Sequence, residues 1–111
     1  MKLVRMEESA RARATHPMFI GEVHRQALTD GTSEQLSVAV VAFRDGARNT
    51  FHTHDSDQVL VITEGEGIVA TESEELPVSA GDAVVIPAGE QHWHGARPGA
   101  SMTHLAISAK K

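Results

Sequence analysis

The chain has 111 residues, enough for one domain with a hydrophobic core of its own. Its formal net charge of −5 disfavours a nucleic-acid partner, because phosphate binding requires a basic surface. The absence of cysteine excludes disulfide bonds and thiolate ligands, so a metal would be held by imidazole, amide or carboxylate groups. No segment is apolar enough to cross a bilayer, and the N-terminus lacks the apolar run of a signal peptide. We therefore expect a cytoplasmic protein with no membrane partner.

The order of apolar and turn-forming residues predicts an all-β protein. We expect residues 1–20 to form an N-terminal arm or an edge strand, and residues 21–111 to form a single barrel domain. The predicted strands cover residues 19–28, 36–43, 50–53, 58–63, 68–71, 76–78, 83–86, 92–94 and 102–107. Turn-forming residues separate most of these strands, and the short strands and frequent turns are typical of a sandwich or a barrel.

Two of the predicted strands, at residues 36–43 and 58–63, are apolar on both faces. In a small barrel surrounded by water, the outer face of each strand should be polar. We therefore expect a second subunit to cover this outer face, and we predict a homodimer.

Histidines occur in two spaced blocks that indicate a metal site. His52 and His54 are two residues apart, so on a strand both side chains lie on one face and can bind one ion. Residues 46–65 read G-x5-H-x-H-x3-Q-x6-G, and residues 81–92 read G-x5-P-x-G-x2-H. The second block supplies a third imidazole, His92, from a separate strand.

These two blocks resemble the two motifs of the cupin superfamily, whose members are jelly-roll barrels, also called double-stranded β-helices. Motif one would be residues 46–65 and motif two residues 81–96. The segments H-W-H-G-A at residues 92–96 and M-T-H-L-A-I at residues 102–107 are similar to those of small single-domain bacterial cupins of the cupin_2 type. That subgroup includes manganese-dependent hydroxynitrile lyases and cupins associated with carboxymuconolactone-decarboxylase-like proteins.

The resemblance implies a metal ligand set of His52, His54, Gln58 and His92. The cofactor would be one divalent transition metal ion, with Mn or Fe favoured by the resemblance and Ni, Zn or Cu possible by affinity for imidazole. Most cupins have glutamate where this chain has Gln58. A neutral amide leaves the charge of the ion uncompensated, so we expect a more electrophilic metal that favours anionic ligands. The alternative is that Gln58 is only a polar strand residue.

Two further active-site histidines of the subgroup correspond to His94 and His104. On a continuing strand, His94 faces the same side as His92. A neutral imidazole beside a metal can transfer a proton at neutral pH, which would make both histidines catalytic. Alternatively, one of them only orients a metal ligand through its second nitrogen.

The predicted function is that of a metalloenzyme acting on a small organic substrate in the barrel, with the metal as Lewis acid and a nearby histidine as base. A lyase, such as a hydroxynitrile lyase, and a dioxygenase-like enzyme both fit, because four ligands on an octahedral ion leave two positions open. The alternative is a non-catalytic cupin that binds or senses a metal or a small ligand. In that case His94 or His104 would complete the coordination shell.

Overall fold

A computed structural model describes residues 1–110, which form strands that curl into one antiparallel barrel. A short 3-10 helix, Glu8–Ala10, precedes the strands. In chain order the strands are β1 (Ala12–Arg13), β2 (Phe19–Ile20), β3 (Val23–Ala27), β4 (Leu36–Phe43), β5 (Arg48–Asn49), β6 (Gln58–Thr71), β7 (Glu75–Ser79), β8 (Ala83–Ile86), β9 (His92–Ala96) and β10 (Met102–Ala109). The predicted all-β jelly-roll class is confirmed. Within residues 1–110, no helix is long and apolar enough to span a membrane.

The long strand β6 belongs to both halves of the barrel. Its first part pairs with β10 and β8, and its second part pairs with β7 and β9. From β10 the first half continues to β4, β3 and β1, and from β9 the second half continues to β5 and β2. The two halves thereby enclose one interior, into which every second side chain of each strand points.

The sequence predicted two strands, at residues 58–63 and 68–71, where the structure has the single strand β6. Gly65 adopts a φ of 77°, and the register against β10 shifts between Thr103 and His104. This irregularity is a β-bulge, which bends a strand without ending it. The residues that resemble a turn in the sequence therefore form the bend between the two halves of the barrel.

Two other strand predictions are wrong at their boundaries. The strand expected at residues 50–53 is replaced by β5, which lies just before it, and residue 52 forms only an isolated bridge to His92. The strand expected at residues 19–28 is interrupted at Gly21, which has a φ of 89°. A Cβ atom at this position would lie 2.9 Å from the Cβ of Ala47, so the close approach also requires glycine.

The apolar core forms the floor of the cavity in which the histidines lie. Phe43, which is 1% exposed, packs edge-on against Phe19 with 6.3 Å between ring centroids. Its ring also contacts the rings of His94 and His104, at centroid distances of 5.9 and 5.3 Å. The core thus holds two of the predicted site residues directly.

Substitution of Gly65 by alanine should destabilise the barrel. A Cβ atom there would overlap the Ser101 carbonyl oxygen, and the positive φ would add about 1–2 kcal/mol of backbone strain. Gly81→Ala is the matched control, since Gly81 also has a positive φ of 99° but a Cβ atom there would meet no other atom within 4 Å. Thermal and urea denaturation should show a larger loss of unfolding free energy for Gly65→Ala than for Gly81→Ala. Equal losses would contradict the steric argument.

Candidate metal centre

Three histidines from two segments meet at one point inside the barrel. Ligand nitrogens of His52, His54 and His92 all lie within 4.8 Å of one another. The backbones of His52 and His92 exchange two hydrogen bonds, of 2.9 and 3.0 Å, which hold the segment before β6 against β9. The spacing of these two candidate ligands is therefore determined by main-chain pairing.

The orientation of two of these rings is determined by hydrogen bonds to backbone carbonyls. The Nδ1–H of His52 donates to the Thr50 carbonyl over 2.7 Å, and the Nδ1–H of His92 donates to the Glu90 carbonyl over 2.8 Å. Each bond leaves the lone pair on Nε2, the nitrogen that a metal would use. Burial lowers the pKa of all three rings, His54 included, so the neutral, metal-binding form is favoured.

Several buried acceptors in this cluster have no hydrogen-bond partner among the described residues. They are Nε2 of His54, Nε2 of His92 and Oε1 of Gln58. Buried polar atoms are nearly always paired, so unpartnered acceptors of this kind fit a cation. Three imidazoles and an amide oxygen suit a divalent transition metal. The role of Gln58 as a fourth ligand stays a prediction, although it is buried and lines the same cavity as His52 and His54.

His94 and His104 form a buried pair beside this cluster. Nε2 of His104 lies 3.0 Å from Nδ1 of His94, and His104 is 0% exposed. The His94 ring lies 5.6 and 5.7 Å from the rings of His52 and His92. Burial lowers the pKa of His104 to about 4 and, together with the charge of His104, lowers the pKa of His94 well below its usual value. Both rings are therefore neutral at neutral pH.

Asn49 is a site residue that the sequence did not indicate. Its Oδ1 accepts the backbone N–H of His94 over 2.8 Å, and its Nδ2 lies 3.4 Å from Nε2 of the same ring. Asn49 is buried in β5, a strand that the sequence did not predict at this position. Only the pairing of β5 with β9 brings it to His94, so no local pattern could have identified it.

A single cavity of about 180 Å³ connects these groups. His52, His54, Gln58, His94 and His104 line it, whereas the buried His92 lies behind them. The structure therefore brings all six predicted site residues together around one cavity.

An antiparallel barrel with a three-histidine cluster inside defines a small β-barrel protein with a candidate metal site. The chain belongs to the cupin family, because the Cupin_2 cupin-domain family matches residues 39–107. The membership expected from the two histidine blocks is thus confirmed.

Comparison with known proteins gives relatives within this family. The (R)-mandelonitrile lyase of Granulicella tundricola is 36% identical over 112 residues, covering 99% of this chain and 86% of the lyase. The crystal structure of a cupin-like protein from Thermotoga maritima has a TM-score of 0.82 and 31% identity, over 87% of this chain and 75% of that chain. A predicted oxalate decarboxylase from the same organism has a TM-score of 0.84 with 22% identity, over 99% of this chain and 100% of that one, and this likeness shows the fold alone.

Asn49→Ala should destabilise the protein, because it leaves the backbone N–H of His94 buried without an acceptor. We expect a loss of about 1–3 kcal/mol in the free energy of unfolding, measured by urea denaturation. Thr50→Ala is the matched control, since the Thr50 side chain is exposed and its carbonyl, which binds His52, is retained. A stability loss for Asn49→Ala no larger than that of the control would refute the role of Asn49.

Proposed function

We propose that this cupin is a divalent-metal-dependent lyase that cleaves small cyanohydrins, with His52, His54, His92 and Gln58 as metal ligands. The observation that supports this most strongly is the buried His94–His104 pair, which borders the three-histidine cluster in one cavity. The relative that is a mandelonitrile lyase matches almost the whole chain. Mn or Fe is the favoured metal, and the bound ion would supply a Lewis acid that polarises an oxygen of the substrate.

The protein's own contribution would be to move a proton. In the tautomer that this role requires, Nδ1–H of His94 donates to Nε2 of His104, and the lone pair on Nε2 of His94 accepts the substrate hydroxyl proton. The C–CN bond then breaks with its electron pair leaving on cyanide, while the former hydroxyl oxygen forms a carbonyl. The proton passes from His94 to cyanide, so that an aldehyde and hydrogen cyanide leave and the ring is neutral again.

Three features of the cavity support this assignment. His94 is neutral at neutral pH and can therefore act as a base. His104 and Asn49 hold His94 on two sides, which determines the direction of its ring. The apolar ring of Phe43 packs against both histidines, which are buried.

Substitutions at His94 and His52 separate proton transfer from metal binding. His94→Gln should retain the metal but lower the rate of mandelonitrile cleavage about 10²-fold or more, because the base is lost. His52→Ala should lose both metal and activity. Benzaldehyde release and elemental analysis measure the two properties, and His24→Gln is the control because His24 lies outside the cavity and pairs with Glu22.

The rival functions predict different results in the same samples. A non-catalytic sensor would use His94 as a ligand, so His94→Gln would lose the metal, and the bound ion would have no exchangeable water. A dioxygenase-like enzyme would consume dioxygen with diols or enols and leave mandelonitrile unchanged. Either result would overturn the lyase proposal.

We also propose that the protein forms a cytoplasmic homodimer through the outer face of β4, β6 and β10. The side chains of this face are apolar and partly exposed: Val38, Val59, Val61, Leu105 and Ile107. Val85 of the neighbouring β8 extends the patch and is 67% exposed. An apolar sheet face of this kind is best covered by a second copy of itself, in an isologous interface.

Val61→Asp should convert the dimer into a monomer, because it places a charge within the apolar contact. Leu76→Asp adds the same charge to an exposed apolar residue of β7, in the other half of the barrel, and should leave the dimer intact. Light scattering coupled to size exclusion gives the mass of each variant. A monomeric wild-type protein at micromolar concentration would refute the proposal.

A further inference from the structure

Arg25 lies on the interior face of β3, on the same row of side chains as His104. In the sheet register Arg25 pairs with Val41 of β4, and Val41 pairs with His104 of β10. Residues that face each other across a sheet point to the same side, and Val41 and His104 both line the cavity. Two strand spacings separate the backbones of Arg25 and His104 by about 10 Å. A side chain as long as that of arginine can therefore reach a molecule bound beside His104.

Arg25 is the sole charged residue among the described residues that line the cavity. No aspartate or glutamate of the described chain lines it, although the protein as a whole has a net charge of −5. Arg25 forms no salt bridge with any residue between positions 1 and 110; the ion pairs found there are His24–Glu22 and Arg97–Glu66. Its guanidinium is thus exposed at the mouth of a cavity in which nothing neutralises it.

The cavity wall between His104 and Arg25 is apolar. Val41 of β4 separates the two residues in the sheet register and lines the cavity. The neighbouring row of the same wall consists of Ala39 and Ala106, which are direct partners in the sheet. A ligand that extends from His104 towards β3 therefore meets an apolar wall first and then one cation.

We propose that Arg25 binds a carboxylate group of the substrate, so that the natural cyanohydrin carries a carboxylate in addition to its hydroxyl and nitrile groups rather than being a neutral molecule. The planar guanidinium matches a carboxylate with two parallel hydrogen bonds. This inference rests on the proposed function, because the hydroxyl or carbonyl oxygen of the same substrate would lie at the metal. It assigns Arg25 the role of a specificity-determining residue that holds the end of the substrate farthest from His94.

The test compares two ligands of nearly the same shape, one with a charged carboxylate and one with a neutral amide in its place. The probes are para-carboxybenzyl alcohol and its neutral amide, para-carbamoylbenzyl alcohol, titrated calorimetrically into the manganese-loaded protein. Wild type should bind the acid about tenfold more tightly than the amide, since hydrogen bonds to a charged partner add this much. Arg25→Gln should abolish the preference, and Arg25→Lys should keep part of it.

Arg44→Gln is the matched control, because it removes the same charge from an exposed arginine that does not line this cavity. It should retain the preference of the wild type. Equal binding of acid and amide to wild type, no binding of either, or an unchanged preference in Arg25→Gln would each overturn the proposal. Binding is measured independently of turnover, so a failure of mandelonitrile cleavage would refute the lyase reaction and leave this result intact.

Discussion

The pairing of β6 with four other strands is the constraint on which the site depends. This strand sets the positions of the two strands that carry the buried histidine pair: His94 of β9 lies opposite Val69, and His104 of β10 lies opposite Ile62. The bulge inserts one extra residue, Thr63 of β6, between the partners of Thr103 and His104. Because strand side chains alternate, the insertion exchanges the inner and outer faces of β6: Ile62 lies beside His104 before it, and Val69 beside His94 after it. The irregularity therefore lets one strand face the same interior in both halves of the barrel.

The interior of the barrel is arranged so that its histidines stay neutral. His94 and His104 are shielded from water, contact the Phe43 ring and have no carboxylate beside them in the cavity. Each of these features disfavours the protonated form. The hydrogen bond between the two rings compensates in part for their removal from water. A neutral histidine pair does not repel a cation bound at the neighbouring cluster, and a neutral ring can accept a proton. The same burial therefore favours both of the proposed roles.

Much of the fold could be predicted from the sequence because its signals are local. The strands 36–43 and 83–86 are predicted with the bounds that the structure gives to β4 and β8. The spacing of His52, His54 and His92 also carries local information, and these three residues do cluster. The bend of β6 could not be predicted, because a glycine such as Gly65 is typical of a turn. Only its pairing with β10 shows that the strand continues through it. Asn49 and Arg25 were missed for a similar reason: Asn49 reaches His94 through the pairing of β5 with the distant β9, and Arg25 shares a row with His104 only because β4 pairs with the distant β10.

The backbone bridge between His52 and His92 sets the spacing of these two histidines independently of the side chains that face them across the cavity. That spacing is determined by main-chain hydrogen bonds between the segment before β6 and the start of β9. The opposite wall of the cavity is built from side chains of β3, β4 and β10, whose backbones take no part in that bridge. Substitutions on this wall, other than at His104, can therefore accumulate without changing the spacing of His52 and His92. Over evolutionary time, such a barrel can change the ligand that it recognises while its histidine cluster is retained.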